Sequence, residues 1–162
     1  MTGFVGVADM VRWVTHHGVE RLTAQMAEYI EADFRRWLSF DKTERVASHT
    51  PSGVIELMPI SDPDIYTFKY VNGHPLNPSR GFQTVAAFGV LADVHNGYPV
   101  FLSEMTLLTA LRTAATSAMV ARHLARPDSS VMAMIGTGSQ SEFQALAFRG
   151  LLGIDRLRVY DV

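Results

Sequence analysis

The sequence predicts an α/β protein: an α+β region over residues 1–126, followed over residues 127–162 by the first β-α-β unit of a parallel sheet. Three observations predict it. A charged amphipathic helix leads into a series of short apolar strands separated by turn residues. A long helix without glycine or proline closes that series. After Pro127 the pattern changes to strand, glycine turn, helix and strand within residues 131–161, the spacing of a parallel crossover.

In chain order, Val19 to Phe40 carries Leu22, Met26, Tyr29, Ile30 and Trp37 at helical spacing with Glu and Arg between them, an amphipathic surface helix. Strands are expected over Arg45–His49, Gly53–Pro59 and Ile65–Val71, separated by Pro51-Ser52 and Asp62-Pro63-Asp64. Asn72 to Gly81 is dense in residues that break helix and strand, and reads as a loop. Strands over Thr84–Asp93 and Tyr98–Leu102 meet through His95-Asn96-Gly97, where Asn-Gly signals a hairpin. The helix from Met105 to Arg126 has Arg122, His123 and Arg126 in its last turn before Pro127 stops it. Its alanines 110, 114, 115, 118 and 121 suit close packing against another backbone. Strand Val131–Ile135, a helix to about Leu152 and strand Arg156–Asp161 complete the chain. Trp13 and Trp37 fall on helical faces and are expected in the core.

Composition excludes several classes. With 48% hydrophobic and 19% charged residues there is material for a core, which excludes disorder. A net charge of −2 argues against nucleic acid or an anionic membrane as partner. The absence of cysteine removes disulfides, thiolate metal sites and thiol catalysis. The longest apolar run, Val85 to Ala92, is far short of the roughly 20 residues that span a bilayer. No basic segment leads into an apolar stretch at the N-terminus, so a soluble cytoplasmic protein is expected. The six histidines have no ligand spacing, and no metal site is expected.

Charge is unevenly spread: residues 1–45 hold 13 charged side chains and the longer stretch 46–150 also only 13. Scarce cations in an apolar stretch either snorkel or await a ligand. Lys69 and Arg112 are such cations, Arg45 begins a strand, and a set of Arg and Lys in an apolar pocket suits a small carboxylate. The competing reading makes them rim cations paired with Glu44, Glu56 or Glu104. In Gly136-Thr137-Gly138, Gly136 permits a tight turn and Gly138 a close approach of backbone to a pyrophosphate at the helix N-terminus. Asp161, ending the second strand, stands where an acid accepts hydrogen bonds from a ribose and repels a 2′-phosphate, which favours NAD over NADP. Ser141 replaces the third glycine of the usual fingerprint, so a tight turn in an unrelated α/β protein competes with this reading.

Longer strings carry a resemblance. Phe68-Lys69-Tyr70-Val71-Asn72-Gly73-His74-Pro75, Ala87-Phe88-Gly89-Val90-Leu91-Ala92-Asp93, Leu111-Arg112-Thr113-Ala114-Ala115-Thr116-Ser117 and Gly136-Thr137-Gly138-Ser139-Gln140-Ser141-Glu142-Phe143-Gln144 resemble signatures of the ornithine cyclodeaminase/μ-crystallin family. Arg45-Val46-Ala47-Ser48-His49 and Gly53-Val54-Ile55-Glu56-Leu57-Met58-Pro59 extend the resemblance over essentially the whole chain.

The resemblance implies an NAD enzyme acting as a homodimer. Residues 1–126 would form the substrate-binding and dimerisation domain, and 127–162 the start of a Rossmann domain, truncated here. It implies that Arg45, Lys69 and Arg112 grip an amino acid's carboxylate, with Arg112 also near the dinucleotide, and that Glu56 faces the substrate. Thr84, Ser139, Gln140 and Asp161 match cofactor-contacting positions, beside the glycines 136 and 138. The family's catalytic aspartate is expected beyond Val162, and the chain alone is expected to be inactive. The implied reaction converts L-ornithine to L-proline and ammonia through an imine and internal hydride return. A ketimine reductase, an alanine dehydrogenase and a non-catalytic binder are the alternatives within the resemblance.

Overall fold

The computed structural model describes residues 1–162. It divides into two compact units, Met1–Met10 with Arg36–Leu107, and Val11–Arg35 with Leu108–Val162. The elements in order are β1 (Gly3–Val5), α1 (Val7–His17), α2 (Val19–Arg35), β2 (Val46–Thr50), β3 (Gly53–Ser61), β4 (Ile65–Gly73), β5 (Ala87–Asp93), β6 (Pro99–Glu104), α3 (Thr106–Leu124), β7 (Val131–Ile135), α4 (Ser141–Leu152) and β8 (Arg156–Tyr160).

The first unit holds a six-stranded sheet in the order β1-β6-β5-β4-β3-β2. β1 runs parallel to β6 and every other neighbouring pair is antiparallel. Alternation in β4 decides its faces, since successive side chains point to opposite sides of a strand. Tyr66, Phe68 and Tyr70 lie on one face, where Tyr70 stacks on Phe88 of β5 at 5.1 Å between ring centroids. The expected hairpin joins β5 to β6 through Asp93–Gly97. The Asp93 carboxylate accepts the His95 N–H at 2.7 Å and the Asn96 side-chain amide at 3.0 Å, and Gly97 takes φ +74°. A register shift at Leu91/Ala92 bends β5 just before that turn.

Two expectations fail. The helix read through Phe40 stops at Arg35 and continues only as a 3₁₀ turn, Trp37–Ser39. Side chains explain the break. Lys42 Nζ donates to the carbonyls of Trp37 and Phe40 at 2.7 and 2.8 Å, while the Arg36 guanidinium lies 4.5 Å from the Phe40 ring and pairs with Asp62 at 3.0 Å. Trp13 and Trp37 are not core residues, being 38% and 48% exposed. Trp37 instead offers its ring to Lys42 Nζ at 5.0 Å, a cation–π contact that suits a half-exposed indole. The loop read from Asn72 contains a 3₁₀ turn, Asn77–Arg80, closed by Gly81 at φ +77°.

In the second unit the alanines act as the pattern predicts. Ala114, Ala115 and Ala118 of α3 are fully buried, and so are Ala27 of α2 and Ala147 of α4. Ala115 and Met119 pack on Ala27, while Ala114 and Ala118 pack on Ala147. Small side chains at both contacts let three helices approach closely, and dense packing of that kind tolerates little change in volume. Gly150 of α4 belongs to the same geometry, because a Cβ there would lie 3.4 Å from Glu20 Cβ of α2. β7 and β8 pair in parallel as a two-stranded sheet joined by α4, which ends on Gly153 at φ +72°. This is the crossover expected from residues 131–161.

Candidate functional site

The register of the six-stranded sheet collects three of the expected site residues on one face. Met58 of β3 pairs with Lys69 of β4, Lys69 with Gly89 of β5, and Gly89 with Ser103 of β6. Glu56 lies two residues before Met58 and hence on the same face. Val46 pairs with Leu57, so Arg45 continues β2 by one residue onto the row of Met58 and Lys69. The aromatic side chains of β4 occupy the opposite face, as the alternation predicts.

Arg45 Nη1 donates to Glu56 Oε1 at 3.0 Å, with the arginine side chain 56% and the glutamate side chain 18% exposed. Of the three acids named as rim partners, Glu56 is therefore the one Arg45 meets. Lys69 is half-buried in the middle of β4. Two cations and one carboxylate on a shared face present complementary charge to an amino acid, the cations to its carboxylate and the acid to an amine. Gly89, beside Lys69, keeps this row low. A Cβ there would lie 3.1 Å from the Phe68 carbonyl and closer still to Met105 Sδ.

Thr84 precedes β5 and is not part of it, contrary to the strand expected from Thr84. The cause is Asn72. Its side-chain Oδ1, at 2.5 Å, takes the Ala86 N–H, while its own N–H donates to the Ala86 carbonyl at 3.2 Å. Two residues on, the His74 N–H donates to the Thr84 carbonyl at 2.9 Å. The regular ladder thus gives way to side-chain bonding, and Thr84 sits half-buried on an extended segment tied to the end of β4.

Arg112 belongs to the other unit. It lies on α3 with its guanidinium exposed and without an ion pair, while its carbonyl accepts the Thr116 hydroxyl at 2.7 Å.

The glycine loop between β7 and α4 lines an open cleft of about 560 Å³, bordered by Gly136, Gly138, Ser139, Gln140, Ser141 and Gln144. Gly136 has φ +96°, a conformation other residues adopt at a cost, and its N–H donates to the Tyr160 carbonyl at 2.8 Å. A Cβ at Gly138 would meet nothing within 4 Å, so nothing in the unit's own packing demands glycine there. The first backbone N–H groups of α4 have no partner within the helix, and Gln140 places no capping side chain on them. Gln140 Oε1 is buried without a hydrogen-bond partner. The Ser141 N–H donates to the Gly138 carbonyl at 2.9 Å, which leaves the N–H groups of Glu142 and Phe143 at the helix N-terminus. With the open glycine these suit a phosphate, while the Gln140 amide oxygen suits a hydroxyl or amine donor of a nucleotide. No group of three or more His, Asp or Glu residues is arranged to hold a metal ion.

Asp161 stands one residue beyond β8. Its Oδ2 accepts the Thr137 backbone N–H at 2.8 Å and, more closely, the Thr137 hydroxyl, and its Oδ1 accepts the Val162 N–H at 2.8 Å. These donors, the Thr137 hydroxyl foremost, hold the carboxyl below the ordinary aspartate range. Sequence reasoning missed Thr137 and Asn72 as site residues. A hydroxyl between two glycines of the loop, opposite an acid at the next strand end, was the available signal for Thr137. For Asn72 there was none.

With this geometry in place, comparison with known proteins is specific. Residues 7–162 match the family described as ornithine cyclodeaminase/mu-crystallin. The chain is 62% identical over 159 residues to a curated ornithine cyclodeaminase of Agrobacterium fabrum, covering 98% of this chain and 45% of that protein. Among solved structures, a lysine cyclodeaminase described for its recognition of L-lysine, L-ornithine and L-2,4-diaminobutyric acid superposes with a TM-score of 0.92 at 32% identity, covering 99% of this chain and 49% of that one. An archaeal alanine dehydrogenase dimer with bound NAD superposes with a TM-score of 0.83 at 28% identity, covering 99% of this chain and 48% of that one. The chain thus spans just under half the length of the proteins it matches.

Proposed function

The chain belongs to the ornithine cyclodeaminase/mu-crystallin family, and from that membership we propose that the protein carrying it converts L-ornithine to L-proline and ammonia with NAD as a recycled cofactor. One observation carries the choice within the family. Identity is 62% over 98% of the chain to a curated ornithine cyclodeaminase, against 37% over 68% of it to a curated L-lysine cyclodeaminase and 42% over 58% of it to a curated alanine dehydrogenase.

When bound, NAD supplies reversible hydride chemistry at the amino acid's Cα, so that the conversion of ornithine to proline and ammonia is redox-neutral overall. The chain's own residues supply binding and orientation. Arg45 and Lys69 hold the substrate carboxylate, Arg with a planar pair of donors and Lys as a point charge. Glu56, paired to Arg45, takes a substrate amine. Arg112, exposed and without an ion pair, serves the carboxylate and the dinucleotide. Gly136, Gly138, Ser139 and Gln140 cradle the phosphates at the start of α4, Asp161 takes the ribose, and Thr84 completes the cofactor contacts. Holding Cα in one orientation reduces the entropic part of the barrier, by several kcal/mol in favourable cases, of the order of 7–11 in the best model systems. In this reading residues 1–126 form the substrate-binding and dimerisation domain and residues 127–162 begin the dinucleotide domain.

The protein is further read as a cytoplasmic homodimer. Support for the dimer comes from the sheet face opposite Lys69, where register places Phe4, Leu57, Tyr66 and Phe88 together at 74%, 41%, 40% and 47% exposure. Contiguous apolar surface of that kind marks an interface.

The test is an assay of the full-length protein with L-ornithine and NAD+. Proline should form at constant NADH absorbance, and Lys69→Met and Arg112→Met should each raise the ornithine KM. Stoichiometric NADH production would identify a dehydrogenase instead, and unchanged kinetics in both variants would return these cations to the rim.

A further inference from the structure

We infer that Thr137 is a positioning residue that orients Asp161 toward the ribose of the dinucleotide and thereby sets the preference for NAD over NADP. The inference rests on the reading of the glycine-loop cleft as a dinucleotide site. An ionised carboxylate offers about four acceptor directions. At Asp161 two of them, both on Oδ2, are taken by the N–H and hydroxyl of Thr137. The Val162 N–H takes a third, on Oδ1, at 2.8 Å. What remains open is acceptor capacity on Oδ1, which matches a hydroxyl donor and repels a phosphate.

Three bonds make this arrangement stiff. Gly136 and Thr137 donate their successive N–H groups to the Tyr160 carbonyl and to Asp161, each at 2.8 Å, and the Thr137 hydroxyl adds the third bond. Asp161 is exposed, with no packing of its own to choose its rotamer. Two of its three hydrogen bonds come from Thr137, so its orientation depends chiefly on that residue. The position needs a hydroxyl: valine matches threonine in shape and loses the donor, whereas serine keeps it.

Equilibrium titration of the full-length protein with NAD and with NADP tests this, by calorimetry and without turnover. Thr137→Val should weaken NAD about fivefold to tenfold, the worth of one hydrogen bond, and should narrow the ratio between the two cofactors. Thr137→Ser should bind as the unsubstituted protein does. In an Asp161→Ala background Thr137→Val should change nothing further, because a residue acting through Asp161 has nothing left to orient. An equal loss in that background, or an unchanged NAD/NADP ratio, would overturn the inference while leaving the cleft intact. Failure of the unsubstituted protein to bind NAD would overturn the dinucleotide reading itself.

Discussion

Replacing Arg45 by Met separates a substrate clamp from a surface ion pair, because the two roles differ in size. As a pair, Arg45 and Glu56 meet at 3.0 Å with the arginine side chain 56% exposed. A half-exposed pair of that kind is screened by water and contributes about 0.2–1 kcal/mol to stability. As a clamp, Arg45 makes a charge-assisted bond to an ionised carboxylate, worth about 1.5–3 kcal/mol, which is roughly a 10- to 150-fold change in affinity. The expected result for Arg45→Met in the full-length protein is therefore a small shift in denaturant midpoint beside at least a tenfold weaker titration with L-ornithine in the presence of NAD. Glu56→Gln provides the control. It removes the same ion pair, so its stability loss should match that of Arg45→Met, while its binding loss reports the amine contact. If Arg45→Met lost no more affinity than the ion pair accounts for, under about fivefold, the clamp would be refuted and the arginine would be a partner of Glu56 alone.

Further outcomes follow from the packing. Leu111, fully buried in α3, should cost about 2–5 kcal/mol when cut to alanine, read by urea unfolding. Gly53→Ala should destabilise by about 1–3 kcal/mol in the same measurement, since its Cβ would lie 2.2 Å from the Gly73 carbonyl oxygen, a backbone atom that cannot swing aside. Asp161 has its folded carboxyl pKa lowered by Thr137 and Val162, so its contribution is present above the unfolded value of about 3.9 and is lost as pH falls through the lower folded value. NAD affinity should accordingly begin to fall only below the ordinary aspartate range, and in Thr137→Val its loss should begin at higher pH, as followed by calorimetry. The 162-residue chain expressed alone should be inactive and poorly soluble, because β7 and β8 pair only with each other while Ile135, Val159 and Tyr160 are 88%, 50% and 64% exposed. Ile135→Lys should raise its soluble fraction in a centrifugation assay, and an unchanged fraction would place the liability elsewhere.

Most of the fold was legible where one local rule dominates. Alternation in Ile65–Val71 named both faces of β4, alanine spacing named the packed side of α3, and the change of period after Pro127 named the crossover. The failures share a cause. The helix expected over Val19–Phe40 follows an apolar periodicity that continues through Trp37, yet Lys42 and Arg36 bind carbonyls, a ring and Asp62 in ways that no period encodes. Strand β5 was read from Thr84 because Val85 and Ala86 suit a strand, yet the side chain of Asn72, fourteen residues before Ala86, takes the bond the ladder would use. β1 was missed because a strand from Gly3 to Val5 is defined by pairing with Phe101–Ser103 and not by any pattern of its own.

The candidate site shows the same division. Residue types and spacing suggested cations for a carboxylate and a glycine loop for phosphates, but only the pairing of β2, β3 and β4 puts Arg45, Glu56 and Lys69 on one face. A one-residue slip in either pairing would send part of the set to the aromatic side. Contacts on both faces resist that slip: Tyr70 stacks on Phe88 on the aromatic face, and Val71, paired with Glu56 and Ala87, is buried on the face of Lys69. They fix the register on which the charge pattern depends, so packing and site in this sheet are specified by the same alternation.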